Sequence, residues 1–338
     1  MSVDRKRTSG IPVVAEMYVV GVDGGATKTV ALIGTGTRIL GRGESGSSNY
    51  HNIGTEAAGK AIGAAVANAK KQARLRTGGR VKIAVVALAG IDSAEGVRIT
   101  RGFVRRANLA REAFVIHDSV SALYAATRGR PGIIVNSGTG CFAAGINGAG
   151  EYVRVGGWGY LIDDKGSAFD IGMRAITAGF RMTDGRTPRT PLPTLLMKRL
   201  EVRRFDEILD MVYSNELGVE EIADLAPLVS GAAGRDGVCR QILGEAGASI
   251  AELVCTAARR LKLTDASFSL AMVGGVFGSG RYFLEPFKSR VRDECPHARF
   301  LRLEDEPAGG AYLIAAKLGR RGLKALPHND RWLRGVVN

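Results

Sequence analysis

The sequence predicts an α/β protein made of two similar domains that face each other across a cleft. Three observations support this. Apolar strand-like segments alternate with helical segments, glycine-rich turns follow several of the strands, and the order of elements repeats once along the 338 residues. The composition, 45% hydrophobic and 24% charged, is that of a globular chain with room for about two domains.

The first copy of the pattern begins with the buried strand MYVVGVDGG, at residues 17–25. A hairpin follows, turning around residues 34–36, and an alanine-rich helix is expected over residues 54–74. Next come a strand at VKIAVVALAG, a helix over residues 93–107, a strand at AFVIHD and a helix that begins at Ser119. A meander followed by alternating helices and strands favours a mixed sheet of five strands covered by helices.

The second copy begins near Pro131, where PGIIVNSGTG repeats the pattern of a strand ending in a glycine turn. A second hairpin, a helical insertion over residues 163–263, the strand SFSLAMVGG, a helix from Arg281, the strand ARFLRL and a helix from Glu306 follow. The predicted domains are therefore residues 17–128, completed by the helix 306–319, and residues 129–305. An N-terminal arm (1–16) and a basic tail (320–338) flank them.

The charge and the cysteines limit the possible functions. The 47 Lys and Arg exceed the 33 Asp and Glu by 14, which suits a polyanion or a small anionic substrate such as a nucleotide. Aromatic residues are only 6% and do not alternate with the basic runs, so nucleic-acid binding is disfavoured. Four scattered cysteines favour a cytoplasmic protein over a disulfide framework. The longest apolar run, residues 83–91, is shorter than the ~18 residues of a membrane helix.

Two familiar motifs are discounted. GRGESG at residues 41–46 matches G-x-G-x-x-G, but no helix opens directly after it, and we interpret it as a loop. GTEAAGK at residues 54–60 nearly matches a P-loop, yet Ala61 replaces the Ser or Thr that would hold magnesium. We interpret this second segment as a surface stretch of helix.

The segment GVDGGATKT is a stronger candidate for phosphate binding. Its strand ends at Asp23. Gly24 and Gly25 then permit a turn whose N–H groups approach phosphate oxygens, and Thr27 and Lys28 add a hydroxyl and a cation. Asp23 is suited to Mg²⁺, which binds few protein carboxylates and keeps several waters. The alternative is a tight hairpin with a surface aspartate.

The second glycine turn occupies the corresponding place in the second copy. It consists of Ser137, Gly138, Thr139 and Gly140. If the two domains face each other, two turns of this kind approach one ligand from opposite sides. Such an arrangement suits a triphosphate better than a single turn does.

Asp118 ends the strand AFVIHD and precedes a helix. This position at the carboxyl end of a strand is where α/β folds place ligands, which makes Asp118 a candidate catalytic base. Asp is equally suited to cap the following helix, and the residues alone leave both roles open. His117 beside it is predicted to be structural.

Seven segments, in order, resemble one family. They are GVDGGATKT, NYHNIG, HDSVSALYA, NSGTG, GGWGYLIDDKGSAFDIG, MVGGVFGSG and EPAGGAYLIA. Together they resemble the N-acetylglucosamine kinase and archaeal broad-specificity hexokinase group of the BadF/BadG/BcrA/BcrD-type ATPases, within the actin-like sugar kinase and heat-shock ATPase superfamily. The resemblance spans residues 17–318 and implies two ribonuclease-H-like domains that close on ATP, Mg²⁺ and a sugar.

The resemblance also implies roles for individual residues. Asp23 lies near the metal, the turns at 23–29 and 137–140 hold phosphates, and Gly274, Gly275, Val276 and Phe277 match the adenosine motif. Asn49, Asp118, Gly157, Trp158 and Asp164 match positions that bind sugar hydroxyls, and Asp118 matches the catalytic base. Trp158 has an alternative role as a buried aromatic that packs a turn.

The segment after the second turn departs from the N-acetylglucosamine kinases. They commonly have an Asn there, whereas this chain has Cys141 and Phe142. We therefore predict a hexokinase of wide tolerance, acting on the 6-hydroxyl of glucose, mannose, glucosamine or N-acetylglucosamine, in a homodimer. A dedicated N-acetylglucosamine kinase is the first alternative. An activator ATPase of acyl-CoA dehydratases is a weaker one, because such activators bind an iron–sulfur cluster through closely spaced cysteines.

Overall fold

A computed structural model describes residues 17–75, 80–89, 91, 93–303, 306–321 and 334–337. It contains two mixed β-sheets flanked by helices, so the predicted fold class is confirmed. The predicted N-terminal arm, residues 1–16, lies outside the described residues, as do residues 322–333 and 338 of the predicted basic tail.

The first sheet contains the N-terminal strands. They are β1 (Tyr18–Gly24), β2 (Thr29–Gly34), β3 (Ile39–Ser45), β4 (Val81–Leu88), β5 (Glu112–His117) and β11 (Arg334–Val337). Their order is β11-β5-β4-β1-β2-β3, with β1, β4 and β5 parallel and the β1–β2–β3 meander antiparallel. β11 pairs antiparallel with β5 and adds a sixth strand to the five that the sequence predicts. Its short apolar run, next to basic residues of the tail, gave no strand signal of its own.

Helices cover both faces of this sheet. They are α1 (Tyr50–Gln72), α2 (Ala94–Ala107), α3 (Asp118–Thr127) and α11 (Pro307–Arg321). Val20 and Val22 of β1 face the core under α1 and α2, whereas Val19 faces the core under α3 and α11. Because successive strand residues point to opposite faces, a sheet buried on both faces needs continuous apolar runs, such as VALI in β2 and AVVAL in β4. Since α11 packs on this sheet, we propose that it completes the N-terminal domain.

The second sheet repeats the plan of the first. Its strands are β6 (Gly132–Ser137), β7 (Cys141–Ile146), β8 (Tyr152–Gly156), β9 (Phe268–Val273) and β10 (Ala298–Arg302). Their order β10-β9-β6-β7-β8 matches β5-β4-β1-β2-β3, again with an antiparallel meander beside three parallel strands. The internal duplication predicted from the sequence is therefore present in the topology.

A helical insertion separates β8 from β9. The helices of this half are α4 (Ala168–Thr183), α5 (Leu192–Leu200), α6 (Glu207–Tyr213), α7 (Val219–Ala223), α8 (Ala226–Ala232), α9 (Gly237–Leu261) and α10 (Arg281–Glu294), with a short 3₁₀ helix at Gly275–Gly278. The long helix α9 packs on β6, β7 and β8 and against α10. None of the helices in the described part of the chain is long and apolar enough to cross a membrane.

Helices α3 and α11 lie between the two sheets. Their buried side chains share one core with Ile134, Ala144 and Ala271 of the second sheet. The two helices cross at Gly310, where a Cβ atom would lie 1.7 Å from the carbonyl oxygen of Ser121. The Ser121 hydroxyl also donates to the carbonyl of Pro307 at 2.6 Å, and the two helices are thereby held in close contact.

The segment GRGESG is a strand and not the predicted loop. Residues 39–45 form β3, which pairs with β2 and packs against α1. A Cβ atom at Gly41 would lie 2.3 Å from the carbonyl of Ala69, and one at Gly43 would lie 2.1 Å from that of Ala65. These glycines therefore let the backbones of β3 and α1 approach closely, which explains the G-x-G spacing without a nucleotide.

Candidate active site

The first glycine turn joins β1 to β2. The Gly25 N–H donates to the carbonyl of Lys28 at 3.0 Å and closes the turn. Gly24 has no room for a side chain, since a Cβ atom there would lie 2.1 Å from Ser48 Oγ. The side chains of Thr27 and Lys28 are exposed. The turn therefore presents a hydroxyl and an ammonium group to solvent from a tightly packed backbone.

Asp23 lies at the base of this turn in a strongly acidic environment. Burial, and then the negative charges of Asp118 and Glu306, raise the pKa of Asp23 to about 7, while Lys28 acts in the opposite direction. A divalent cation would offset this excess of negative charge. The described residues contain no cluster of three or more His, Cys, Asp and Glu side chains arranged to hold a metal. A single carboxylate site suits Mg²⁺, which keeps most of its waters.

The second glycine turn follows β6, and only part of it faces solvent. The Ser137 hydroxyl is buried and donates to the carbonyl of Gly166 at 2.9 Å, so it stabilises the turn from within. The Gly138 N–H donates to the carbonyl of Gly140 at 3.0 Å. The side chain of Thr139 is exposed. Of the four predicted residues, Gly138 and Thr139 line the adjoining cavity.

This cavity, of about 380 Å³, lies between the second turn, the 3₁₀ helix and the helical insertion. Gly274 brings the predicted adenosine motif against the turn, because a Cβ atom there would lie 2.2 Å from the carbonyl of Ser137 and its φ is +103°. Gly275 and Val276 line the cavity. Phe277 does not, since its ring packs in the core, 5.6 Å from the ring of Phe283.

The helical insertion supplies the opposite wall, which sequence reasoning missed. Ala223, Ala226 and Pro227 give it an apolar surface, and Asp224 and Ser230 add polar groups. An apolar cavity of a few hundred cubic ångströms with a few polar groups is typical of a small-molecule site. These residues lie in short helices without a recognisable motif, so only the tertiary structure shows that they line the cavity.

Asp118 is the first residue of α3, and the helix is capped by His117. The Asp118 Oδ1 atom lies 2.7 Å from His117 Nδ1 and accepts the N–H of Ser119 at 2.6 Å. Burial opposes ionisation of Asp118, but the hydrogen bond of His117, together with the Ser119 N–H, holds the pKa of Asp118 below the ordinary value. With 38% of its side chain exposed, the carboxylate of Asp118 is accessible to solvent.

The second sheet extends the wall that begins at Asp118. Arg154 of β8 lies with Nη1 3.4 Å from His117 Nε2, and its Nη2 donates to the carbonyl of Gly157 at 3.2 Å. Asp164 is 6% exposed and accepts the N–H of Cys141 at 3.3 Å. Burial raises the pKa of Asp164, with a further rise from Asp163, while the Cys141 N–H and Arg154 lower it. Asp118, Gly157 and Asp164 thus belong to one connected region.

The remaining predicted sugar positions lie on loops and helix ends. Asn49 caps α1, and its Oδ1 accepts the N–H of His51 at 3.1 Å. Trp158 is 69% exposed, so its alternative role as a buried aromatic is wrong. It begins an apolar loop in which Leu161 and Ile162 are 84% and 80% exposed. The tight turn at Gly157, with φ +74°, directs the chain away from the sheet at this point.

Comparison with known proteins identifies relatives along nearly the whole chain. It is similar to an N-acetylmuramic acid/N-acetylglucosamine kinase from Clostridium acetobutylicum, with 29% identity over 88% of this chain and 98% of the relative. An N-acetyl-D-glucosamine kinase from Dictyostelium discoideum is 26% identical over 88% of this chain and 97% of its own length. These relatives confirm the prediction of a kinase-type phosphotransferase.

A solved structure shows the same similarity in three dimensions. The crystal structure of a candidate N-acetylglucosamine kinase from Chromobacterium violaceum superposes with a TM-score of 0.68 and 26% identity, over 89% of this chain and 99% of that one. Residues 20–315 match the BadF/BadG/BcrA/BcrD ATPase family, and the family name itself indicates the use of ATP. The chain belongs to the BadF/BadG/BcrA/BcrD ATPase family.

Proposed function

We propose that the protein is a hexokinase that transfers the γ-phosphate of ATP to the 6-hydroxyl of a hexose, with wide tolerance among glucose, mannose, glucosamine and N-acetylglucosamine. The observation that carries this proposal is the solvent-accessible carboxylate of Asp118, which lies in one connected region with Gly157 and Asp164. A nucleotide-sized cavity adjoins the second glycine turn. The named kinase relatives act on acetylated amino sugars according to their names, which supports a sugar as the acceptor.

Asp118 is the proposed general base. Because its pKa lies below the ordinary value, it is ionised at neutral pH and can accept the proton of the attacking hydroxyl. Phosphoryl transfer proceeds through a loose transition state, so the base needs to be well placed more than strongly basic. Asp164 and the backbone of Gly157 are proposed to hydrogen-bond the other sugar hydroxyls, with Asn49 and Trp158 closing the site.

The phosphate groups are proposed to bind between the two glycine turns. Thr27 and Lys28 of the first turn and Thr139 of the second offer exposed hydroxyl and ammonium groups. Electrostatic groups fixed around the transferred phosphoryl group stabilise the charge of the transition state. Asp23 would hold Mg²⁺ through its carboxylate and water, and the ion would neutralise part of the charge on the phosphates.

The nucleoside is proposed to occupy the cavity beside the 3₁₀ helix. The apolar side chains of Ala223, Ala226 and Val276 suit the faces of a purine, and Gly275 leaves the backbone accessible. Apolar cavities with a few polar groups bury most of a ligand of this size. Asp224 and Ser230 are then available for hydrogen bonds to the ribose or the base.

A dedicated N-acetylglucosamine kinase is the second candidate, and the names of the relatives favour it. The local structure of the second turn favours wide tolerance. Cys141 is buried and donates through Sγ to the carbonyl of Lys165. The Phe142 ring lies 5.3 Å from the Arg154 guanidinium. Neither side chain offers the amide found at this place in many N-acetylglucosamine kinases.

One assay tests the proposed function. ADP release is measured by a coupled enzyme reaction with glucose, mannose, glucosamine, N-acetylglucosamine and no sugar. We expect sugar-dependent ADP release with at least two of the four sugars. Activity confined to N-acetylglucosamine would select the dedicated kinase, and ADP release that does not depend on any sugar would contradict both.

The activator ATPase is disfavoured by the cysteines. All four are buried in the core, and burial raises the pKa of the Cys141 thiol. An iron–sulfur cluster shared between subunits needs thiolates at the surface. The free thiols instead support the proposal of a cytoplasmic enzyme. We also propose a homodimer, which light scattering at micromolar concentration would measure.

A further inference from the structure

The strongest unassigned feature is a chain of polar contacts that connects the proposed base to the sugar-binding loop. It runs from Asp118 through the ring of His117 to Arg154 and ends at the carbonyl of Gly157. His117 ends β5 and Asp118 begins α3, whereas Arg154 lies in β8 and Gly157 directly follows that strand. Neither His117 nor Arg154 is among the predicted site residues, and both are within contact of them.

The position of Arg154 is fixed on several sides. Its guanidinium lies 5.3 Å from the centre of the Phe142 ring, and a Cβ atom at Gly157 would lie 2.4 Å from Nη2. Burial lowers the pKa of Arg154, while the charge of Asp164 raises it. An arginine remains a hydrogen-bond donor only, under any such shift. The guanidinium is therefore a rigid donor placed between the loop and the ring of His117.

The contacts of His117 determine which ring nitrogen carries the proton. Since Arg154 Nη1 is a donor, His117 Nε2 must act as the acceptor of the 3.4 Å contact. The proton of a neutral ring then resides on Nδ1, which lies 2.7 Å from Asp118 Oδ1. The Ser119 N–H has its own shorter contact, 2.6 Å to Asp118 Oδ1 against 3.1 Å to Nδ1, so it does not require Nδ1 as an acceptor.

The surroundings hold the ring in this orientation. The His117 ring packs edge-to-face on Phe142, with centroids 6.4 Å apart. Nδ1 also lies 2.8 Å from Ser119 Oγ, and that hydroxyl lies 3.1 Å from the Tyr152 hydroxyl of β8. A ring that packs on Phe142 and has both nitrogens in contact can direct one N–H at a carboxylate with little loss of rotational freedom on binding.

We propose that His117 and Arg154 are positioning residues: Arg154 sets the Nδ1–H tautomer of His117, the ring orients the carboxylate of Asp118, and the same guanidinium fixes the Gly157 carbonyl. The inference rests on the proposed function and deepens it. One arginine thereby couples the orientation of the base to the loop that binds the sugar.

The kinetic test uses Arg154→Met, which keeps the length of the side chain and removes its donors, and Arg154→Lys, which keeps the charge. For Arg154→Met we expect kcat/KM for the sugar to fall about 10- to 100-fold, the scale for misplacing a catalytic group, with KM for ATP changed less than about 3-fold. Arg154→Lys should recover part of the loss. Arg260→Met is the matched control, because Arg260 donates to the Arg154 carbonyl from an exposed position.

A measurement that needs no turnover tests the same inference. The chain has only four histidines, so the ¹⁵N chemical shifts of the His117 ring can be assigned by comparison with His117→Asn. We expect a protonated Nδ1 at neutral pH in the wild-type protein and a shift toward the Nε2–H tautomer in Arg154→Met. An Nε2–H ring in the wild-type protein would overturn the proposed positioning role of His117 and Arg154. If the wild-type enzyme is active, unchanged sugar kinetics in Arg154→Met would overturn it as well. Absence of sugar-dependent ADP release in the wild-type protein would contradict only the proposed function. The ¹⁵N chemical shifts of the His117 ring would still test whether Arg154 sets the tautomer.

Discussion

The replacement Asp118→Asn is the most direct test of the proposed chemistry, because the two side chains have the same shape. The Oδ1 atom of asparagine can still accept the Ser119 N–H, now at 2.6 Å, and can remain near His117 Nδ1. The Ser119 N–H thus keeps an acceptor at residue 118, and the start of α3 is not altered. The change therefore removes a proton acceptor and a negative charge with little effect on packing.

The magnitude follows from what the carboxylate does. A positioned general base contributes roughly 10²- to 10⁴-fold to the rate, which corresponds to about 2.7–5.5 kcal/mol of activation free energy. We therefore expect kcat of Asp118→Asn to fall at least ~100-fold. KM for ATP should change less than about 3-fold, because the nucleotide cavity lies at the second turn and the insertion and not at α3.

The charge of Asp118 provides a second observable in the same variant. Its negative charge contributes to the raised pKa of Asp23, so its removal should lower the pKa of Asp23 below about 7. A ¹³C titration of labelled aspartate carboxyl groups measures this change without turnover. It reports on the electrostatic coupling between the proposed base and the proposed metal ligand.

The assay is sugar-dependent ADP release at saturating ATP and sugar, with Asp265→Asn as the control. Asp265 is an exposed aspartate that accepts a hydrogen bond from the neighbouring Thr264 hydroxyl at 3.4 Å. The Asp265→Asn variant should retain wild-type activity. Turnover of Asp118→Asn within about tenfold of the wild type would remove Asp118 from the role of base and refute this reasoning.

Two further changes test the metal and nucleotide sites. Folding raises the pKa of Asp23 from 3.8 to about 7, so the folded protein binds an extra proton between these values and loses stability as the pH rises through that interval. In thermal unfolding, Asp23→Asn should therefore raise Tm by a few degrees at pH 8 and change it little at pH 4. Its kcat should fall at least tenfold. A lower Tm than that of the wild type at pH 8 would contradict the destabilising effect of the buried Asp23 charge. Gly274→Ala places a methyl group 2.2 Å from the Ser137 carbonyl at φ +103°, and it should raise KM for ATP about tenfold or more. Gly234→Ala, at an exposed glycine outside the cavity lining with nothing within 4 Å of its Cβ, serves as the control, so equal KM values in the two variants would refute the role of Gly274.

The sequence predicts the arrangement of strands well, because strand ends and glycine turns are local signals. The apolar run that ends at Asp23 and the run that ends at Ser137 both form strands with the expected neighbours. Asp118 also lies where the end of AFVIHD placed it. These features depend on a few consecutive residues, so pattern and spacing are sufficient to locate them.

Features that depend on contacts between distant segments were not predictable in the same way. The G-x-G spacing at Gly41 and Gly43 reflects the close approach of α1, which nothing within the motif indicates. The wall at Ala223 and Asp224 comes from helices with no motif. Arg154 is separated from His117 by 37 residues, and only the pairing of β7 with β8 and the position of α3 bring the two together.

The crossing of α3 and α11 at Gly310 has a consequence for how the two halves can move. With the backbones in van der Waals contact and Ser121 bonded to α11 on both sides, the helices cannot slide along one another without breaking those bonds. Any relative motion of the two sheets then carries α3 and α11 together as one unit. Asp118, one turn of helix before Ser121, is therefore expected to move together with α11.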